Sequence, residues 1–269
     1  MNIEPINIET ILTAFGLTMI AGLSTGIGSI MAFATKHTNT KFLSTALGFS
    51  AGVMMYVSFM EMMPEALHAL SEKFGEKTGT FYLLLAFFGG MGIITLIDFL
   101  VPEDENPHEV HVVEDMRKKS SLKRTGFMVA LAIGIHNFPE GIATFTSALN
   151  SMELAIPITF AIAIHNIPEG IAVAVPLYQA TGDRKKAFWY SFLSGMAEPI
   201  GALIAFAFLL PFWNPIINAF VLAAVAGIMV FISLDELLPS AEKYGEHHLS
   251  IIGVVSGMAV MAVSLFLFI

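Results

Sequence analysis

The sequence contains no cysteine among its 269 residues, and only 13% of its residues are charged. The absence of cysteine excludes disulfide bridges, thiolate metal sites, iron–sulfur clusters and cysteine nucleophiles. Soluble domains average about 25% charged residues, so this chain has too little polar surface for a water-soluble protein of its length. Its formal net charge of −9 argues against a nucleic-acid partner, which would require a basic face.

Long apolar runs dominate what is present. Apolar residues make up 55% of the chain, and the mean hydropathy is +0.74. Because a membrane-spanning helix needs about 20 apolar residues, we predict an all-α, multi-pass protein of a cell membrane, surrounded by lipid. The eight predicted spans cover residues 10–34, 42–60, 80–101, 126–149, 154–178, 187–210, 215–234 and 250–269. Residues 102–125 form the one long polar loop, and residues 1–269 are predicted to form a single transmembrane domain.

Basic residues are distributed unevenly between the two sides of the predicted membrane. With eight crossings both termini lie on one side, together with Lys73 and Lys77, while all other Lys and Arg residues fall on the opposite side. Lys and Arg concentrate in the cytoplasmic connections of membrane proteins. Both termini are therefore predicted to lie outside the cytoplasm, and the loop at 102–125 inside it.

Three acidic residues lie near the centres of consecutive predicted spans: Glu140, Glu169 and Glu198. No Lys or Arg accompanies them at that depth. A carboxylate at the membrane centre costs at least about 2.5 kcal/mol, and three without a basic partner repel one another unless a cation lies among them. The presence of acidic residues without basic ones at this depth predicts a cation path or a cation site.

Two nearly identical hexapeptides surround the first two of these glutamates. HNFPEG at 136–141 and HNIPEG at 165–170 differ at a single position. In each, the His and the Glu are four residues apart and therefore share a helix face, while the Asn can add a neutral oxygen. Imidazole, carboxylate and amide oxygen form a ligand set for Zn²⁺ or Fe²⁺. The predicted metal ligands are His136, Asn137, Glu140, His165, Asn166, Glu169 and Glu198.

A proline adjoins each of the three glutamates: Pro139, Pro168 and Pro199. Proline has no N–H, so in each helix one carbonyl loses its donor and a kink is expected at the depth of the glutamate. Such backbone is tolerated in a membrane only where it is buried in protein or lines a cavity. Three consecutive helices are therefore predicted to bring their polar side chains to one place.

Other interpretations of these motifs remain open. The polar groups of kinked helices can satisfy one another without an ion, although two copies of the motif and a third glutamate weaken this explanation. An intramembrane metalloprotease uses His-Glu-x-x-His, in which the Glu is the general base; Asn137 and Asn166 stand at that position here. A metal-selective channel would use the same ligands with weaker binding, and a saturable flux would argue against it.

Five further residues are predicted near the ends of an ion path. Glu61, Glu65 and His68 follow an i, i+4, i+7 pattern at the outer end of the second span. They form either a cation entrance or a solvated helix end. His247 and His248 lie in a connection predicted to be cytoplasmic, which makes them candidates for transient metal binding at an exit.

With these motifs the chain resembles the ZIP family of divalent-metal transporters, in its bacterial branch, over nearly its whole length. The resemblance includes the eight spans, the external termini, the loop after the third span and the paired His-Asn-x-Pro-Glu-Gly motifs. It implies a bundle of three, two and three helices in which the outer triplets are related by inverted symmetry. Periodicity and spacing alone do not predict that arrangement.

For the site, the resemblance implies two metal ions at the membrane midplane, bridged by Glu140 and Glu169. The first ion, with zinc favoured, would be completed by His136 and His165. The second ion, for which ferrous iron is accepted, would take the two bridging glutamates together with Asn137, Asn166 and Glu198.

The function expected from this resemblance is import of divalent metal into the cytoplasm, with zinc first and iron, manganese, cobalt or cadmium as companions. Zn²⁺ and Fe²⁺ would be bound as transported substrates, so neither a resident cofactor nor an enzymatic activity is expected. Divalent metal ions and lipid are the expected partners, and a homodimer is a candidate assembly.

The predicted orientation can be tested with single cysteines, because the native chain has none. In intact cells, an impermeant thiol reagent should label Lys73→Cys and spare Lys119→Cys, since the first position is predicted outside and the second inside. Permeabilised cells provide the control, in which both positions should react. Labelling of position 119 but not of position 73 in intact cells would show that the orientation is the opposite of the predicted one.

Overall fold

The computed structural model describes residues 7–34, 40–100, 122–244 and 247–268, and these ranges are almost entirely helical. The α-helices, in chain order, are α1 (Ile8–Ala34), α2 (Thr40–Val57), α3 (Met63–Phe74), α4 (Glu76–Leu100), α5 (Leu122–Asn150), α6 (Met152–Thr181), α7 (Arg184–Gly195), α8 (Ala197–Leu209), α9 (Pro215–Ile232), α10 (Leu238–Tyr244) and α11 (His247–Phe268). Turns of π-helix join α2 to α3 (Ser58–Met62) and α9 to α10 (Ser233–Leu237), and a 3₁₀ turn (Leu210–Phe212) follows α8. The all-α prediction is confirmed for these ranges.

Seven helical segments in the described part of the chain are long and apolar enough to cross a membrane. They are Ile8–Phe33, Thr40–Phe74, Glu76–Phe99, Met152–Val175, Arg184–Leu209, Pro215–Glu242 and His247–Leu267. These segments coincide with seven of the predicted spans. The other predicted span, 126–149, lies on the 29-residue α5, so the count of eight stays a prediction. Most of the predicted loop at 102–125 lies outside the described residues.

Large apolar side chains cover the outside of the helices, whereas polar side chains are buried between them. Phe99, Phe208 and Phe266 are 81%, 70% and 74% exposed, while His165 and Glu198 are fully buried. In a soluble protein, exposed residues are mostly polar and charged groups are almost never fully buried unless paired. The observed distribution is the one that a lipid surrounding favours.

Two turns of π-helix occur at equivalent places in the second and seventh spans. Each begins with a buried serine, Ser58 or Ser233, and each is followed two residues later by a proline, Pro64 or Pro239. Proline cannot donate to the carbonyl four residues earlier. The wider turn accommodates this gap, because the residue after each turn donates its N–H to the serine carbonyl five residues earlier. The helix therefore continues through the proline, and the second span reaches Phe74 instead of ending near residue 60.

The helices pack in two groups, and glycine contacts hold the helices together within each group. One group contains α1, α5, α6, α7 and α8, and the other contains α2, α3, α4, α9 and α11. Gly28 of α1 lies against the backbone of α6, Gly141 of α5 against that of α8, and Gly52 of α2 against that of α11. Small residues allow such close backbone approach in lipid. None of the glycines in the described ranges makes a contact of this kind between the two groups, which meet chiefly where α2 contacts α6 and α9 contacts α5.

The packing of α4 on α9 can be tested with two adjacent glycines. Gly90→Ala should lower stability by about 1–3 kcal/mol, as overpacking does, because the new Cβ would collide with the carbonyl of Ala224. Nothing lies within 4 Å of a Cβ added at Gly89, so Gly89→Ala is the matched control. Thermal unfolding in detergent should give a lower midpoint for the first variant and an equal or higher one for the second. Identical midpoints would contradict this packing.

Candidate metal centre

Helix α5 and the two apolar segments that follow it in the chain bring polar side chains into the core of the bundle. Helix α5 supplies Glu140, α6 supplies His165, Asn166 and Glu169, and α8 supplies Glu198. None of these five residues is more than 4% exposed. The contacts of α5 with α6 and with α8 bring these five side chains together.

Glu140, His165 and Glu169 form a compact cluster. The Nε2 atom of His165 lies 3.2 Å from each carboxylate oxygen of Glu140 and 4.0 Å from Oε1 of Glu169. One potential ligand atom from each residue lies within 4.8 Å of the other two. Zn²⁺ binds imidazole nitrogen and carboxylate oxygen at about 2.0–2.2 Å, so these three atoms are close enough to share one ion. The histidine thus contacts the glutamate of the neighbouring helix more closely than the glutamate of its own.

Asn166 connects α6 to two other helices. Its Nδ2 group donates to the carbonyl of Ala21 on α1, at 2.9 Å, and to Oε1 of Glu198 on α8. Its Oδ1 atom has no hydrogen-bond partner in the described part of the chain. The amide therefore holds Glu198 in place with its nitrogen, while its oxygen keeps the lone pairs that a cation ligand needs.

Asn137 is fully buried one turn before Glu140. Neither atom of its amide makes a hydrogen bond within the ranges that the structure describes. Buried polar groups in proteins are nearly always hydrogen-bonded, so this amide needs a partner that the surrounding helices do not supply. The side chain of His136 lies outside the described residues, and its predicted role as a ligand stays a prediction.

Glu198 lies where the sixth span changes from one helix to the next. Helix α7 ends at Gly195, and Glu198 is the second residue of α8. Pro199 cannot bond the carbonyl of Gly195, which explains why the break falls here. The N-terminus of a helix carries partial positive charge and favours a carboxylate in its first turn. The break therefore stabilises a charge that the lipid surroundings oppose.

The residues predicted near the ends of an ion path do not join a three-residue metal cluster among the described residues. The half-buried Glu61 lies in the first π-helical turn, and the half-buried Glu65 and exposed His68 lie on α3. His247 and His248 are exposed at the start of α11, where Nδ1 of His247 lies 2.8 Å from a carboxylate oxygen of Glu242. Their roles at an entrance or an exit stay predictions.

The glycine that ends each repeated hexapeptide has a role that the sequence analysis did not assign. Gly141 lies against the backbone of Glu198, and Gly170 lies against the carbonyl of Thr25 on α1. The repetition of glycine at this position was a signal for these contacts. Ser50 was missed as well: its hydroxyl donates to the carbonyl of His165 at 3.2 Å. No pattern in the sequence indicated this contact, because it joins residues on helices far apart in the chain.

These features define a class, that of helical multi-pass membrane proteins with a buried imidazole–carboxylate cluster. The model of the ZIP zinc transporter family matches residues 8–125 and 102–265. The chain is 62% identical to the zinc transporter ZupT of Streptococcus mutans over 97% of this chain and 99% of that protein. It is 58% identical to the protein of that name from Clostridium perfringens, over 98% of each chain. The one from Corynebacterium aurimucosum is 57% identical over 98% of this chain and all of its own.

The chain therefore belongs to the ZIP zinc transporter family, as the resemblance of its motifs predicted. Membership and the apolar helices together make it a multi-pass membrane protein. Because this family is one of transporters, membership favours transport over the metalloprotease interpretation. The cluster of Glu140, His165 and Glu169 lies inside the matched part of the chain.

The contact of Gly141 on α5 with α8 should affect metal affinity by positioning α8, although Gly141 is not itself a ligand. In Gly141→Ala the new Cβ would collide with the backbone of Glu198 and push α8 away. Gly134→Ala is the control on the same helix. The atom nearest to its added Cβ is the Cβ of Ala197 at 3.8 Å, which is an ordinary van der Waals contact. Calorimetric zinc titration should give about tenfold weaker affinity, or about 1.4 kcal/mol, for the first variant only. Equal affinities of the two variants would mean that this contact does not shape the site.

Proposed function

We propose that this protein imports zinc into the cytoplasm, with Glu140, His165 and Glu169 at the core of the ion-binding site. The observation that carries the proposal is the buried cluster, whose three ligand atoms lie within 4.8 Å of one another. Membership of the ZIP zinc transporter family supports it, as do relatives that are named zinc transporters and are 57–62% identical.

The donor chemistry of the cluster suits a transported divalent ion. Two carboxylates and an imidazole are ligands that zinc accepts in proteins without cysteine at the site. Buried carboxylates with no Lys or Arg at their depth are costly in lipid, and a divalent cation offsets two negative charges at once. The ion would lose its water at the outer side, bind at mid-depth and leave on the cytoplasmic side by alternating access.

A second ion position next to the first is part of this proposal. Glu140 and Glu169 would bridge the two ions, with His136 and His165 completing the first position. Asn137, Asn166 and Glu198 would complete the second, and the hydrogen bond from Asn166 to Glu198 supports this grouping. Since the second set is made only of oxygen ligands, it suits harder ions. Iron, manganese and cobalt are the further substrates proposed for this position. Cadmium, a softer ion, is proposed as a further substrate at the first position, which offers imidazole nitrogen.

The proposed path runs across a single transmembrane domain of eight spans in the cell membrane, arranged as three, two and three. Both termini would lie outside the cytoplasm. Glu61, Glu65 and His68 would attract cations at the outer entrance, and His247 with His248 would receive them at the cytoplasmic exit. A homodimer is the assembly to test first. Measuring the molar mass of the purified protein in detergent will determine the number of subunits.

A metal-selective channel is the alternative closest to this proposal. Tight binding in a buried cluster favours a carrier, because an ion held by two carboxylates leaves slowly unless the protein changes conformation. Zinc uptake into proteoliposomes should saturate with zinc concentration. A flux that rises linearly with concentration would indicate a channel instead.

Glu169→Ala should abolish uptake of radioactive zinc into proteoliposomes, because this glutamate belongs to the cluster and is proposed to bridge both ions. Glu198→Ala should impair iron uptake more than zinc uptake, since it belongs only to the second position. Glu153→Ala on the same helix is the control, because its side chain is exposed in the first turn of α6. Normal zinc uptake by the Glu169→Ala protein, at equal amounts of folded protein, would remove the central claim.

A further inference from the structure

A row of buried polar side chains continues from the metal cluster along α5. Thr144 and Ser147 follow Glu140 at i+4 and i+7, so the three side chains lie on one face of the helix. Asn137 precedes Glu140 on the same face. All four are at most 1% exposed. At 1.5 Å per residue, Ser147 lies about 10 Å along the helix axis from Glu140, toward the end of α5 at Asn150.

Several buried hydroxyls in the described residues have no hydrogen-bond partner, and those of this row are two of them; the others belong to Thr25, Ser44, Ser58, Ser250 and Ser264. The remaining buried hydroxyls in these ranges are paired. Thr18 and Thr159 donate to the carbonyls of Ala14 and Ala155, four residues earlier, at 2.9 Å and 2.7 Å. This is how hydroxyl-bearing side chains usually satisfy themselves inside helices. Thr146, on the same turn of α5 but on another face, donates in a similar way to the carbonyl of Ala143.

Thr144 and Ser147 make no such bond. Neither hydroxyl has a hydrogen-bond partner among the described residues, although both are fully buried. The carbonyl of Glu140 lies four residues before Thr144, just as the carbonyl of Ala14 lies four residues before Thr18. A backbone carbonyl of the usual kind was therefore available to Thr144 as an acceptor. An unpaired buried hydroxyl is costly, and among those in the described residues Thr144 and Ser147 are the two on α5, in line with Glu140.

On the face of α6 that carries His165, the residues near these levels are isoleucines. Ile162 and Ile158 precede His165 by three and seven residues and therefore lie on its face of α6. Both are at most 1% exposed. Because His165 lies at the level of Glu140 and the two helices run in opposite directions, these isoleucines lie near the levels of Thr144 and Ser147. On these two faces, the hydroxyls are therefore the oxygen atoms that an ion would meet beyond the cluster.

We propose that Thr144 and Ser147 supply neutral oxygen ligands that replace water around the metal ion as it passes between the Asn150 end of α5 and Glu140. Neutral oxygens can replace a hydration shell without holding the ion as firmly as carboxylates do. This inference rests on the proposed function. In the proposed orientation the two residues lie on the outer half of the path.

The test compares rates of transport with affinities of the cluster. Thr144→Val and Ser147→Ala remove the hydroxyls with little change of shape, and Thr144→Ser and Ser147→Thr retain them. Thr146→Val and Thr18→Val are matched controls, since both residues are fully buried but donate within their own helix. Initial rates of radioactive zinc uptake are measured in proteoliposomes, and equilibrium zinc affinity is measured by calorimetry in detergent.

Each hydroxyl removal should slow initial uptake about tenfold, equivalent to about 1.4 kcal/mol, while changing the equilibrium affinity less than about twofold. A ligand used only in passage affects the rate and leaves the bound state unchanged. The hydroxyl-retaining variants and the two controls should transport at near-parental rates. If Thr144→Val does not yield folded protein, Thr144→Ala is measured with the same expectations.

Rates for Thr144→Val and Ser147→Ala equal to those of the controls would overturn the inference while leaving zinc transport in place. Equal loss of rate and of affinity would overturn it too, because that result assigns the hydroxyls to the cluster. Absence of zinc uptake by the parent protein would instead overturn the proposed function, and this inference with it.

Discussion

Burial of carboxylates in a lipid-facing bundle is the constraint on which the rest of this structure depends. Glu140, Glu169 and Glu198 are at most 4% exposed, and the apolar runs predicted to carry them, residues 126–149, 154–178 and 187–210, contain no Lys or Arg. Such groups cost at least about 2.5 kcal/mol each at the membrane centre, so other interactions must offset that cost. His165 contacts Glu140, and Asn166 donates to Glu198. A transported cation among the carboxylates would stabilise them further.

Close backbone contact is what brings these groups within reach of one another. Lipid provides no hydrophobic force between helices, so association depends on packing, and small residues let backbones approach. Gly141 follows Glu140 directly and lies against Glu198, while Gly170 follows Glu169 and lies against α1. Each of these glutamates is thus followed directly by the glycine whose backbone contact positions its helix. This explains physically why each hexapeptide ends in glycine.

Most of the fold was predictable, because each span is a continuous apolar run whose length matches the membrane thickness. The second span was misjudged at its outer end. Glu61, Pro64 and Glu65 have the composition of a helix end in water, yet the helix continues to Phe74. Its continuation depends on the π-helical turn that begins at Ser58 and on contacts of α3 with α4 and α9, neither of which an apolar count detects.

The sequence by itself determined which residues lie at membrane depth and on which face of each helix, because burial cost and the i, i+4 spacing depend only on local order. Only the tertiary structure decided that His165 meets Glu140 of another helix and that Asn166 turns its amide toward Glu198. The unpaired hydroxyls of Thr144 and Ser147 were likewise visible only there. Periodicity sets the direction in which a side chain points around the axis of its helix. The relative rotation and depth of two helices, however, follow from contacts between residues far apart in the chain.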